Sequence, residues 1–114
     1  MIHKLKLEKQ FYESSLNNEK TFEIRLNDRN FKVNDILLLC EIDDCVKFTG
    51  RCHFKEVKYI LNSDYTKEKY VILSTSNSFI PEYLNQEYVS SLPEKELNRL
   101  FKSRDVKYQG AYFL

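Results

Sequence analysis

Apolar and polar residues alternate strictly at two places near the start of the chain. His3, Leu5 and Leu7 interleave with Lys4 and Lys6, and Phe22, Ile24 and Leu26 interleave with Thr21, Glu23 and Arg25. Period two belongs to a strand with two unlike faces, so both stretches are predicted strands. In EKQFYESSLNN (8–18), Phe11, Tyr12, Ser15 and Leu16 fall at helical spacing, and the Asn17-Asn18 pair offers a helix exit. NDRN (27–30) reads as a turn. ILLLCEI (36–42) is almost continuously apolar, which predicts a central strand covered on both faces. After the loop DDCVKFTG, RCHFKEVKYIL (51–61) changes phase, with Cys52 and Phe54 on one side and Val57, Tyr59 and Leu61 on the other. That change predicts a β-bulge near Lys55 and Glu56. A polar loop, NSDYTKEK, leads to a further strand, YVILST (70–75).

Beyond Ser76 the character shifts. PEYLNQEYVSSL (81–92) predicts a short helix. The pattern Ser91-x-x-Glu94, followed by Leu97, Leu100 and Phe101, predicts a second one opened by a capping box, with Lys95, Arg99 and Lys102 outside. The tail VKYQGAYFL (106–114) ends in apolar residues and reads as a docked strand or part of an interface. The expected fold class is α+β: a small open β-barrel of about five to six mostly antiparallel strands, with helices packed on it. Residues 1–76 would form the barrel domain, and residues 77–114 a helical extension packed on the same domain.

Composition narrows the function. A chain of 114 residues, 42% apolar and 31% charged, is a single globular domain with a modest core. Its formal net charge of +1 gives no whole-molecule field to gather nucleic acid or anionic lipid, so any such binding needs a local patch. No run of apolar residues reaches membrane-spanning length, and MIHKLKLEKQ lacks the apolar core of a signal peptide. No membrane partner is expected, and the expected location is the cytoplasm. Cys40, Cys45, Cys52 and His53 are spaced C-x4-C-x6-C-H, which fits neither a disulfide framework nor a structural zinc motif. Free thiols, no metal and no cofactor are expected.

The charged half of the 20–26 stretch remains to be explained. With Phe22, Ile24 and Leu26 directed into the core, Thr21, Glu23 and Arg25 would project from the opposite face, about 7 Å from one another. Lys20 stands where it could join them. One reading is a solvated strand face with Glu23 paired to Arg25 or a neighbouring lysine. The other is a polar cleft in which Lys20 and Arg25 hold an anion while Glu23 accepts a hydrogen bond or exchanges a proton.

The segment EKTFEIRLNDRNFKVNDILLL, together with His3-Lys4-Leu5-Lys6, Phe48-Thr49-Gly50-Arg51 and Tyr70-Val71-Ile72-Leu73-Ser74, resembles the ASCH domain of the PUA-like superfamily. The likeness is to a short ASCH-like family of phages and bacteria taken to bind RNA, and it covers about residues 1–76. It implies a PUA-like barrel with a cleft between the first helix and the sheet, lined by Lys20, Thr21, Glu23 and Arg25. The function it implies is binding of RNA or a nucleotide-like ligand. Arg25, Lys20, Arg29, Arg51 and Lys6 would meet phosphate, and His3 would stand near the cleft. Some ASCH proteins are amidohydrolases acting on N4-acetylcytidine, which makes Lys20, Thr21 and Glu23 candidate catalytic residues. Here Glu23 stands where that chemistry expects a nucleophilic threonine. A third reading is an accessory protein that binds a host protein through residues 77–114. His53 is expected to face solvent.

Overall fold

Ile36–Ile42 has no polar side to offer solvent, and all seven of its residues are buried in a computed structural model that describes residues 1–62, 66, 68–78 and 85–101. This strand, β3, is flanked by β1 (Ile2–Glu8) running parallel to it and β4 (Phe48–Leu61) running antiparallel. β5 (Tyr70–Asn77) pairs antiparallel with β4, and β2 (Phe22–Leu26) pairs antiparallel with β5. The order β1-β3-β4-β5-β2 makes one five-stranded sheet, curled into a half-barrel with β1 and β2 as its edges. The expected α+β fold with a small open barrel is therefore the fold observed.

Each face of the sheet has its own core. On one, Ile2, Ile36, Leu38, Cys40, Cys52 and Phe54 are covered by Val89 of α2 (Gln86–Ser91), Leu97 of α3 (Glu94–Leu100) and Phe101. The concave face holds Leu5, Leu7, Leu37, Leu39, Val57, Val71 and Leu73, closed by Phe31 and by Tyr12 of α1 (Lys9–Leu16). The helix α1 packs through Tyr12 and Ser15, whereas Phe11 and Leu16 stay exposed. It ends at Asn17, and Asn18 takes a left-handed turn (φ 62°), a conformation that asparagine tolerates. The amides of Glu19 and Lys20 then both donate to Ser14 O at 2.9 Å, which returns the chain into β2.

The structure corrects four local expectations. The two faces of β2 are reversed: Glu23 is 3% exposed and lies inside the half-barrel, while Phe22, Ile24 and Leu26 point outward at 44%, 58% and 43%. Alternation settles which residues share a face, but not which face meets the core. In β4 the register shift falls between Val57 and Tyr59 rather than at Lys55 and Glu56, and a second shift occurs in its pairing with β3, between Cys40 and Ile42. Cys52–Val57 is buried throughout, so His53 is an interior residue and not a solvent-facing one. Finally, the Ser91–Glu94 capping box does not form. Ser91 Oγ donates to Tyr88 O, Pro93 occupies the N-cap of α3, and Glu94 turns toward β1. The tail 106–114 lies outside the described residues.

That turn of Glu94 protects an open strand edge. The Ile2 amide donates to Asn98 Oδ1 at 2.7 Å, Asn98 Nδ2 donates back to Ile2 O at 2.9 Å, and the Lys4 amide donates to Glu94 Oε2 at 3.2 Å. Thus α3 shields the first half of β1 and leaves its second half open. On the other side, Gly50 (φ +97°) lets β4 pass beneath α2, where an added Cβ would come 3.1 Å from Glu87 Cγ. Gly50→Ala is expected to cost about 1–2 kcal/mol. An unchanged urea midpoint would contradict that reading of the turn.

Candidate functional site

The curl of the sheet brings its two edge strands toward each other without pairing them. Arg25 on β2 reaches across, and its Nη2 donates to Lys6 O on β1 at 2.9 Å. Two chambers open along this seam and share Lys6 and Arg25 as a common wall. The lower chamber, about 600 Å³, lies beside α1 and is lined by Leu7, Phe11, Phe22, Ile24, Lys20 and Glu23 among others. The upper, about 460 Å³, is lined by Lys4, Arg29, Asp28, Leu26, Phe31 and Phe48 in addition to the shared pair.

Odd-numbered residues of β2 point into the half-barrel, which places Glu23 opposite Leu73 and Arg25 opposite Val71 in the register. Glu23 is almost wholly desolvated, and such a carboxylate persists only where donors replace its lost water. They do so here. Lys20 Nζ donates to Oε2 at 2.5 Å, and Arg25 donates to Oε1 through Nε at 3.1 Å and Nη2 at 2.7 Å. Lys20 Nζ also donates to Phe22 O at 2.7 Å and lies 5.1 Å from the Phe22 ring. The side chains of Lys20 and Arg25 keep 18% and 22% of their surface exposed, so two cations around one buried carboxylate leave a surplus positive charge facing the lower chamber. Thr21 has the phase of Glu23 and Arg25 but is exposed and lines neither chamber, so it does not join the cleft wall expected of it, and its carbonyl accepts from the Thr75 amide at 3.0 Å.

The other candidates divide. Lys6 lines both chambers and Arg29 lines the upper one, where Arg29 pairs with Glu94. His3 is buried behind that chamber, with Nε2 2.7 Å from Asp35 Oδ2 and its ring edge-on to Phe31. Arg51 lines neither chamber. Its guanidinium is held by Glu13 at 2.7 Å and Glu41 at 3.6 Å and lies over the Tyr12 ring, and the hydrogen bond to Glu13 raises its pKa.

Sequence reasoning overlooked Lys55. It is 1% exposed, and its Nζ donates to Asn18 Oδ1 at 2.7 Å and Asn77 Oδ1 at 2.8 Å. Burial lowers its pKa, partly opposed by the negative charge of Glu23. By gripping Asn18, Lys55 ties the exit of α1 to the sheet and so fixes the point from which Lys20 emerges. Its phase offered a signal, since it shares the phase of His53 and Val57, which are both interior. Beside it, His53 Nε2 and Ser15 Oγ are 2.9 Å apart, and the His53 ring meets Tyr12 edge-on. Burial, followed by the charges of Lys55, Arg51 and Lys20, pushes the His53 pKa down to about 4. Burial likewise drives the Tyr12 phenol upward.

Cys40 and Cys52 are buried free thiols facing each other across β3 and β4, and Cys45 is exposed on the intervening loop. The Cys40 Sγ donates to Leu38 O at 3.9 Å and the Cys52 Sγ to Gln86 O at 3.5 Å. Among the described residues no cluster of three or more His, Cys, Asp or Glu side chains is placed to hold a metal, and no helix is long and apolar enough to cross a membrane.

Comparison with curated proteins finds no significant match. One family does match, over residues 2–75, a span that runs from β1 into β5 and includes both chambers' walls at Lys6, Lys20, Glu23, Arg25, Arg29 and Phe48. The chain belongs to the family described as a domain of unknown function, DUF3850.

Proposed function

We propose that this protein is a binding module for RNA or a nucleotide-like ligand, and that the ligand enters the seam between β1 and β2. The observation that carries this reading is the Lys20–Glu23–Arg25 cluster, held at the wall of a chamber whose lining also includes the apolar side chains of Leu7, Phe11, Phe22, Ile24 and Ile42 and the charged Lys6 and Glu8. A flat base finds hydrophobic contact with Phe11, Phe22 and Ile24, while the cations meet its electronegative atoms. Glu23 acts here as a positioning residue that orients the Arg25 fork. The resemblance to ASCH domains supports the same location. Both Glu23 oxygens are engaged by cationic donors, so the geometry favours binding over proton transfer to a substrate.

Titration of labelled single-stranded RNA at several salt concentrations tests the proposal. Saturable binding at low salt is expected, weakening with a shallow salt slope because few phosphates are contacted. Arg25→Ala is expected to reduce affinity about tenfold or more, the equivalent of at least one charge-assisted contact. No saturable binding at low salt, by RNA or by mononucleotides, would overturn it.

A further inference from the structure

The cations of the seam are unevenly committed. In the lower chamber, Lys20 is held by Glu23 and by Phe22 O, and two of the three guanidinium nitrogens of Arg25 donate to Glu23. The upper chamber differs. Lys4 Nζ donates to a neutral acceptor, Leu92 O, at 2.9 Å and lies 4.8 Å over the Phe48 ring, with no acidic partner among the described residues. Lys6 has none there either. Arg25 Nη1 donates to no described residue. Of the chamber's lining, four side chains are cationic and Asp28 alone is acidic, with Glu94 already bound to Arg29.

We infer that the upper chamber is a phosphate subsite for the same ligand whose base occupies the lower one, so that the ligand class is a phosphorylated nucleoside or one residue of a strand, and not a free base or nucleoside. The inference rests on the proposed reading of the lower chamber. Lys4 and Lys6 are the ammonium groups with charge to spare, and the Arg25 guanidinium sits between the chambers, where it can contact the sugar–phosphate link through Nη1. The β1 edge contributes as well. Lys4 O and the Lys6 amide face the seam between the protections given by Glu94 and Arg25, and among the described residues they have no hydrogen-bond partner. An amide donor beside two ammonium groups suits a phosphate oxygen. A phosphate there also neutralises a charge concentration that the fold leaves unpaired.

Calorimetric titration of the full chain with the four ribonucleosides, their 5′- and 3′-monophosphates and inorganic phosphate tests this. At least one monophosphate series is expected to bind about tenfold or more tighter than the parent nucleoside. That ratio should fall toward one in Lys4→Met and in Lys6→Met, which keep the aliphatic stems, and recover in Lys4→Arg. The ratio compares two ligands on one protein, so it does not depend on a variant's stability. Nucleosides that bind as tightly as their monophosphates would overturn the phosphate subsite while leaving the lower chamber's assignment standing. Inorganic phosphate matching the monophosphates would overturn joint occupancy. Failure of every nucleoside, mononucleotide and oligonucleotide would remove the proposed function and this inference with it.

Discussion

Glu23→Ala is expected to destabilise the fold by about 3 kcal/mol, at the lower end of the range for removing one partner of a buried ion pair. The carboxylate is 3% exposed and takes donors from Lys20 and Arg25. Its removal leaves those two cations, with Lys55 close by, sharing an interior from which their counter-charge has gone. The cost stays near the lower bound because Lys20 and Arg25 have partly exposed side chains and can swing toward water. Glu23→Gln should cost less, since its amide oxygen still accepts from one cation. The double variant Glu23→Ala/Arg25→Ala should cost less than the sum of its single changes, because the second removes a charge that the first has stranded. Urea denaturation at fixed ionic strength measures all of these. Additive costs, or a Glu23→Ala change of under about 0.5 kcal/mol, would show that the cluster is a surface arrangement and not a structural feature of the seam.

The fate of Glu23 also shows where the sequence is informative. Each strand was legible, because alternation at 3–7 and 22–26 and the apolar run at 36–42 reflect backbone geometry directly. The grouping of Thr21, Glu23 and Arg25 on one face was legible for the same reason. Their direction was not. An interior that admits Glu23, Lys55 and His53 among its apolar residues reverses the usual link between polarity and exposure, and it is stable through the donors and acceptors they meet there, Lys20 and Arg25 close in sequence for one carboxylate and the distant Asn18 and Asn77 for one ammonium. Phe22, Ile24 and Leu26 point outward as the geometric consequence. The seam was illegible for a further reason. It depends on β1 and β2 being the two edges of one curled sheet, a property of strand order that no local pattern encodes. Phe48 and Arg29 enter the upper chamber through that same long-range arrangement. Glu94 looked like half of a capping box because its local spacing fits one, yet the free edge of β1 competes for the carboxylate and wins.

The second large effect concerns acid. His53 is held neutral, with its pKa pushed down to about 4 by burial and by the nearby cations, against an ordinary value of 6.5. Between these two values the unfolded chain binds a proton that the folded chain refuses, so stability falls as pH is lowered through that window. Above pH 6.5 the contribution of His53 is fully present, and below pH 4 it is gone. The loss across the window is on the order of 3 kcal/mol. Urea denaturation of the wild type and of His53→Gln, from pH 7.5 to 4.5, isolates it, since the difference between the two curves removes most of what the carboxylates contribute. The difference should shrink as pH falls, because glutamine gains no charge. Parallel curves would sink the assignment, as would an NMR titration showing the His53 ring protonated at pH 6. The direction also constrains the seam. A histidine kept neutral adds no charge near Lys20 and Arg25 at any pH from 5.5 to 8, so the positive surplus that attracts an anion there comes from lysine and arginine alone. His53 should therefore add no pH dependence to ligand affinity over that range, while it does add one to fold stability.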